Sequence, residues 1–114
     1  MQTPYDHSKI PDRTIRFSQL SPQRQWLVRE MQTLGWGWIK HQVVNDREPR
    51  SIPVPKKRPC YKMTGPRRRR IEMPSGDFIL KEPVVNLIDW LDEFGNGTVM
   101  IEVSEGLPLD VTVE

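Results

Sequence analysis

The residues best suited to chemistry lie in a basic segment between residues 50 and 70, which holds nine Lys/Arg and no Asp/Glu. So dense a set of cations neutralises phosphates and releases counterions, and arginine can bind phosphate oxygens through two hydrogen bonds at once. A tyrosine within the segment could stack on a nucleic-acid base. The candidate binding residues are Lys56, Lys57, Arg58, Tyr61, Lys62, Arg67, Arg68, Arg69 and Arg70.

Charge is unevenly distributed along the whole chain. Residues 1–49 hold seven Lys/Arg against five Asp/Glu, and residues 71–114 hold one, Lys81, against ten. Charge segregated in this way favours association. The partner could be nucleic acid, an acidic protein surface on another molecule or within this chain, or a second copy in a homodimer or larger complex. An import signal or an inert linker is the remaining interpretation of the basic segment.

Two of the four tryptophans, Trp36 and Trp38, flank Gly37 and are possible aromatic contacts for a ligand. Exposed tryptophans beside a basic segment could stack on bases or anchor a protein interface. The alternative is that they fill the space where helix and sheet meet.

Signatures of catalysis and of metal binding are weak. Cys60 is the single cysteine and lies far in the sequence from His7 and His41, and neither histidine has a spaced pair of carboxylates beside it. We expect His41 on the apolar side of its strand, as a packed residue. Glycines 35 and 37, like glycines 95 and 97, follow predicted helices, whereas a phosphate loop precedes one. We therefore predict a protein that is not an enzyme, with no cofactor and no metal.

The element that must position these residues is an apparent internal repeat of residues 22–54 in residues 83–113. The match runs at an offset of 60 and then, after a one-residue gap, at an offset of 59. Such a repeat indicates one supersecondary unit made twice and packed against itself. The matching positions are Leu27, Val28, Met31, Leu34, Gly35, Gly37, Ile39, Val43, Pro49, Ile52 and Val54 in the first copy, and Leu87, Ile88, Leu91, Phe94, Gly95, Gly97, Val99, Val103, Pro108, Val111 and Val113 in the second.

Each copy has the pattern of a helix followed by two strands. Ser21-Pro22 and Glu82-Pro83 are typical helix starts, and a glycine can end each helix. Alternation predicts a strand over 38–44, a returning edge strand containing Ile52 and Val54, and a hairpin over 99–113 that turns at Glu105-Gly106. A short strand over 13–20 and a hairpin joining 71–73 to 78–80 are also predicted.

These elements predict an α+β fold in which two helix-strand-strand repeats form a pseudo-twofold antiparallel sheet with two helices on one face. The predicted division is an N-terminal arm and short strand (1–20), a first repeat (21–54), a basic connector rich in proline and arginine (55–70), and a hairpin with the second repeat (71–114). At 114 residues these parts form one compact domain.

The run from Leu87 to Val113, with helix, Gly-Xaa-Gly, strand, Glu-Gly turn and strand, resembles the short YezD-like bacterial proteins of unknown function. The segment 20–28 similarly resembles short bacterial proteins that contain the pattern LSP-x-R-x-x-LV. The resemblance implies a small bacterial or phage module and carries no activity.

The sequence has no apolar run long enough to span a membrane and no secretory signal at its start, so we expect a cytoplasmic protein. The predicted function is that of a non-catalytic accessory protein that binds nucleic-acid phosphates, RNA or DNA, through the basic connector. The alternative is a protein-protein adaptor or assembly subunit that uses its polarised basic and acidic surfaces.

Overall fold

The computed structural model of the protein describes residues 13–114. The predicted arm over residues 1–12, with His7, lies outside the described residues. Neither helix between residues 13 and 114 has the length and apolarity needed to cross a membrane.

Two helices of thirteen residues form where the sequence predicts them, α1 at Pro22–Leu34 and α2 at Glu82–Phe94. The Ser21 hydroxyl accepts a hydrogen bond from the Arg24 N–H at 3.2 Å, which satisfies one of the free amides at the start of α1. At the other end, the Gly35 N–H donates to the Met31 carbonyl at 3.0 Å, and Gly95 ends α2 in the same way. The helix predictions are therefore confirmed.

Five strands form a single antiparallel sheet: β1 at Gly37–Asn45, β2 at Glu48–Pro49, β3 at Lys56–Pro59, β4 at Gly97–Ser104 and β5 at Leu107–Val113. β1 and β4 pair at the centre, β5 lies outside β4, and β2 and β3 pair with opposite ends of β1. The predicted α+β class with an antiparallel sheet is confirmed, as is the hairpin that turns at Glu105-Gly106.

The hydrophobic core lies between the helices and one face of the sheet. Alternate side chains of the two central strands are buried and join a single cluster with the buried residues of both helices. The strand residues of this cluster are Ile39, Val44, Val99, Ile101 and Val103. The other face of β1 and β4 carries the intervening side chains, among them Trp38 and Lys40.

The prediction that His41 packs on the apolar side of its strand is wrong. His41 has a positive φ of 59° and is exposed, because the pairing of β1 with β4 shifts by one residue between Ile39 and Gln42. This bulge turns Gln42 into the core, where it is fully buried. Its side-chain amide donates to the carbonyls of Val43 and Arg50 at 2.9 and 2.8 Å. A bulge of this kind turns a neighbouring side chain to the other face.

The predicted edge strand at Ile52 and Val54 is also wrong. These side chains are 82% and 77% exposed, and the strands that return along β1 are β2, before them, and β3, after them. β3 lies inside the segment predicted as a connector.

The predicted hairpin between residues 71–73 and 78–80 does not form. Residues 78–80 pair instead with residues 15–17, through hydrogen bonds of 2.8 Å from the Phe17 N–H to the Phe78 carbonyl and from the Leu80 N–H to the Ile15 carbonyl. The predicted strand over 13–20 is reduced to this bridge and a short 3-10 helix, Phe17–Gln19. Stacked rings of Phe17 and Phe78, 4.9 Å apart, favour the observed pairing.

Candidate nucleic-acid interface

The first part of the basic connector forms strand β3, which can pair with β1 because residue 37 is a glycine. Cα partners along the pair are Gly37 with Pro59, Trp38 with Arg58, and Lys40 with Lys56. A Cβ atom at residue 37 would overlap the Arg58 carbonyl oxygen, so only glycine allows so close an approach. The Cys60 N–H then donates to the Trp36 carbonyl at 2.9 Å. The connector is thus fixed to β1 over residues 56–60.

Strand alternation separates the three cations of β3. Lys57 lies opposite the buried Ile39, and its ammonium reaches the Glu30 carboxylate of α1 at 3.1 Å. Lys56 and Arg58 therefore lie on the opposite face of the sheet, beside Lys40 and Trp38. We call these four residues, Trp38, Lys40, Lys56 and Arg58, the outer-face cluster. It places three cations around one half-buried indole.

Two carboxylates border the outer-face cluster. Glu102 of β4 is the partner of Trp38 on the side away from Arg58. Glu114 binds His41, through the backbone N–H at 3.0 Å and the ring Nδ1 at 2.8 Å. The hydrogen bond from the His41 backbone lowers the pKa of Glu114, to which the charge of Lys40 also contributes. The cluster is therefore basic on the connector side and acidic on the β4 and β5 side.

The later part of the connector forms one wall of a second site, an open groove of about 610 Å³. Five cations line it, together with Trp36 and two carboxylates, and we call it the basic groove. The cations are Lys62, Arg68, Arg69, Arg70 and Lys81, and the carboxylates are Glu72 and Glu105. The salt bridges between residues 13 and 114 include none that joins either carboxylate to these cations.

Arg68 is the most constrained cation of the basic groove. Its guanidinium carbon lies 5.0 Å from the centre of the Trp36 ring, within the range of a cation–π interaction. Its Nη1 donates to the Cys60 carbonyl at 2.7 Å. Trp36, Cys60 and Arg68 are therefore connected by contacts, and Trp36 and Arg68 both line the groove.

The structure separates the other candidate residues. Tyr61 is 75% exposed, and neither it nor Arg67 lines the basic groove. Trp36 belongs to the groove, whereas Trp38 belongs to the outer-face cluster. The predicted binding residues are thus divided between the outer-face cluster and the basic groove, and Lys57, Tyr61 and Arg67 belong to neither.

Sequence reasoning missed two cations, Lys40 and Lys81. Lys40 joins the site only because β3 pairs with β1, and Lys81 joins only because the chain folds back before α2. Lys81 did carry one signal, since it is the single cation of residues 71–114.

Four carboxylates of the acidic half form ion pairs among the described residues, three of them with arginines from the first part of the chain. Asp89 pairs with Arg13, and Asp77 pairs with Arg16 at 3.7 Å. Asp92 pairs with Arg24, whose side chain is only 13% exposed and also lies 3.7 Å from Glu48. Between residues 13 and 114, the ion pairs of the acidic half thus go to residues outside the basic connector.

Potential metal ligands are scattered. In the described part of the chain, no three His, Cys, Asp or Glu side chains come together as a metal site. Cys60 is half-buried, with a free thiol.

Comparison of the chain with protein-family models, with curated proteins and with solved structures found no match. The resemblance to YezD-like proteins stays a prediction.

Proposed function

We propose that this protein is a non-catalytic, cytoplasmic nucleic-acid-binding protein that contacts phosphates through its basic connector. The observation that supports this most is the charge balance of the connector. Among the ion pairs of residues 13–114, its cations contribute one, Lys57 with Glu30, and that pair reaches the first helix. The alternative of a connector neutralised by the acidic half of the same chain is less favoured, because none of the salt bridges of residues 13–114 joins a carboxylate of that half to a connector cation, although Glu72 and Glu105 line the basic groove.

The geometry suits phosphate binding in two ways. The basic groove brings Arg69 and Arg70 together with Lys62 and Lys81, so several cations face one concave space. The outer-face cluster adds Lys56 and Arg58 on a rigid strand. Guanidinium and ammonium groups held on a folded frame lose less side-chain entropy on binding than those of a free linker.

The test is fluorescence anisotropy with a labelled RNA or DNA of mixed sequence, measured across a salt series. We expect binding at low salt that weakens linearly on a logarithmic plot, with a slope of about 0.7 to 0.9 per phosphate contacted. Replacing Arg67 to Arg70 together with serine should lower both the affinity and the slope.

The matched control replaces the same four residues with lysine. Charge is retained, so binding to a duplex through phosphates should largely persist. Absence of binding at low salt, or full affinity in the serine variant, would contradict the proposal. In that case, binding of a protein partner or formation of a homo-oligomer that is lost in the serine variant would support the adaptor alternative.

We also propose that the frame of the site is a duplicated unit with pseudo-twofold symmetry. The supporting observations are that α1 and α2 have equal length, that each is followed by an antiparallel pair of strands (β1 with β2, β4 with β5), and that β1 pairs antiparallel with β4. Separately expressed halves that associate into one sheet would support the duplication.

A further inference from the structure

We propose that Arg68 is a base-stacking residue, and that the basic groove therefore prefers single-stranded nucleic acid to a duplex. This inference rests on the proposed function and specifies its ligand. One base would stack on the guanidinium of Arg68, on the face opposite Trp36, while neighbouring cations bind the flanking phosphates.

The position of Arg68 is fixed by two contacts that a phosphate-binding arginine does not need. Its guanidinium lies over the Trp36 ring at 5.0 Å, and its Nη1 donates to the Cys60 carbonyl at 2.7 Å. The Cys60 N–H in turn donates to the Trp36 carbonyl. Because the indole and this carbonyl hold the guanidinium in place, its planar group is oriented before any ligand arrives.

A guanidinium held in this way presents a flat surface to the groove. Arg68 is an exposed residue that lines the groove, so a ligand in the groove can reach its guanidinium. Splayed bases of single-stranded RNA stack on aromatic rings or on arginine planes. The stack of Trp36 and Arg68 combines both kinds of surface.

The remaining cations of the groove suit a different task. The described contacts give Arg69 and Arg70 no stacking partner, although both line the groove, and Lys62 and Lys81 are flexible point charges. These four are suited to phosphates on either side of a stacked base. The groove thus contains one candidate for base contact and four for backbone contact.

The groove also fits a single strand better than a duplex. Its volume of about 610 Å³ is that of a small-molecule pocket. A duplex keeps its bases stacked inside and offers mainly phosphates and groove edges to a protein, so it cannot place a base face on Arg68.

The experiment compares three labelled probes with the wild-type chain at one salt concentration: a single strand of twelve nucleotides, the same strand with abasic sites at every second position, and a duplex of the same sequence. The abasic strand keeps all phosphates. Since stacking of one base contributes about 1–3 kcal/mol, we expect the intact strand to bind about fivefold more tightly than the abasic strand, or more.

The variant is Arg68→Lys, with Arg47→Lys as the matched control. Both keep the charge, but Arg47 is an exposed residue outside the connector, and the described contacts give it no aromatic partner and no place in the groove. Arg68→Lys should lower affinity for the intact strand about fivefold and leave the abasic strand and the duplex nearly unchanged. Arg47→Lys should change none of the three.

The outcomes separate the two proposals. Equal affinity of the wild-type chain for intact and abasic strands, or equal effects of the two lysine variants, would overturn base stacking and leave phosphate binding standing. Binding to none of the probes would overturn both. The wild-type comparison needs no variant, so it remains decisive even if Arg68→Lys fails to fold.

Discussion

The carbonyl oxygen of Arg58 occupies the space that a side chain at Gly37 would need. Gly37 has a φ of +144°, a conformation that residues with a side chain rarely adopt, and it is paired with Pro59 of the neighbouring strand β3. The glycine that follows α1 therefore does more than turn the chain, because it allows the basic connector to join the sheet.

Replacing Gly37 with alanine should displace β3 and lower the free energy of unfolding by about 3 kcal/mol, through backbone overlap and strain. Urea denaturation measures this. The control is Gly76→Ala, where φ is also positive but no atom lies within 4 Å of the added Cβ. That variant should lose only about 1 kcal/mol. Equal losses in the two variants would show that contact with Arg58 is not what requires a glycine.

Arg24 should matter more to stability than the other arginines that bind the acidic half. Its side chain is 13% exposed and reaches Asp92, Glu48 and the Arg47 carbonyl, so it joins both helices and the turn after β1. We expect Arg24→Ala to lower the free energy of unfolding by about 2 kcal/mol.

The matched change is Arg13→Ala, which removes an exposed pair with Asp89. Exposed pairs contribute about 0–1 kcal/mol, so this variant should be nearly as stable as the wild type. If chemical denaturation ranks the two variants the other way, the proposed role of Arg24 as a bridge between elements is wrong.

Stability should fall in acid partly because of Asp77. Its carboxylate accepts hydrogen bonds of 2.8 Å from the Ser18 backbone N–H and hydroxyl, and these lower the pKa of Asp77 below the usual 3.8. A lowered pKa in the folded state stabilises the fold above the pKa of the unfolded chain, and this contribution disappears as the pH falls through the folded pKa.

Asp77→Asn should therefore be less stable than the wild type at neutral pH, and the difference should narrow below about pH 4. Thermal unfolding at several pH values measures it. A constant difference between the two proteins at all pH values would mean that the carboxylate charge is not involved.

Lys56 and Lys57 are neighbours in sequence that should differ in their effect on nucleic-acid binding. Lys57 is held by Glu30, whereas Lys56 lies on the outer face opposite Lys40. Lys56→Gln should reduce the salt slope of duplex binding by about 0.9, the loss of one phosphate contact, while Lys57→Gln should change it little. Identical salt slopes for the two variants would show that Lys56 and Lys57 do not differ in their contact with phosphates.

The helices and the β4–β5 hairpin could be predicted because their signals are local. The limits of α1 are marked by residues at its own ends: a capping serine, a proline in the first turn and a terminal glycine. Alternation along β4 and the turn at Glu105-Gly106 do the same for the hairpin, although the pairing shifts register between Glu102 and Val103 and leaves Leu109 and Val113 exposed.

The errors occurred where distant segments decide the structure. β3 has no apolar alternation, and it is a strand because Gly37 leaves room for it. His41 was placed on the wrong face because a bulge in β1 depends on pairing with β4.

The candidate site was predictable in composition and not in geometry. The charge count alone singles out the connector, whereas its division into the outer-face cluster and the basic groove depends on strand pairing and on the return of the chain at Lys81. The contact between Arg68 and Trp36 joins residues 32 positions apart, and no local pattern predicts it.

β3 also covers the backbone of β1 over residues 37–40. A ligand that pulled the connector away would uncover the N–H and C=O groups of a central strand and expose the chain to edge-to-edge aggregation. A ligand that binds the solvent-exposed side chains of the connector leaves the pairing of β3 with β1 intact. We therefore expect a partner to bind the side chains of the connector above the sheet, and not to replace β3 in its pairing with β1.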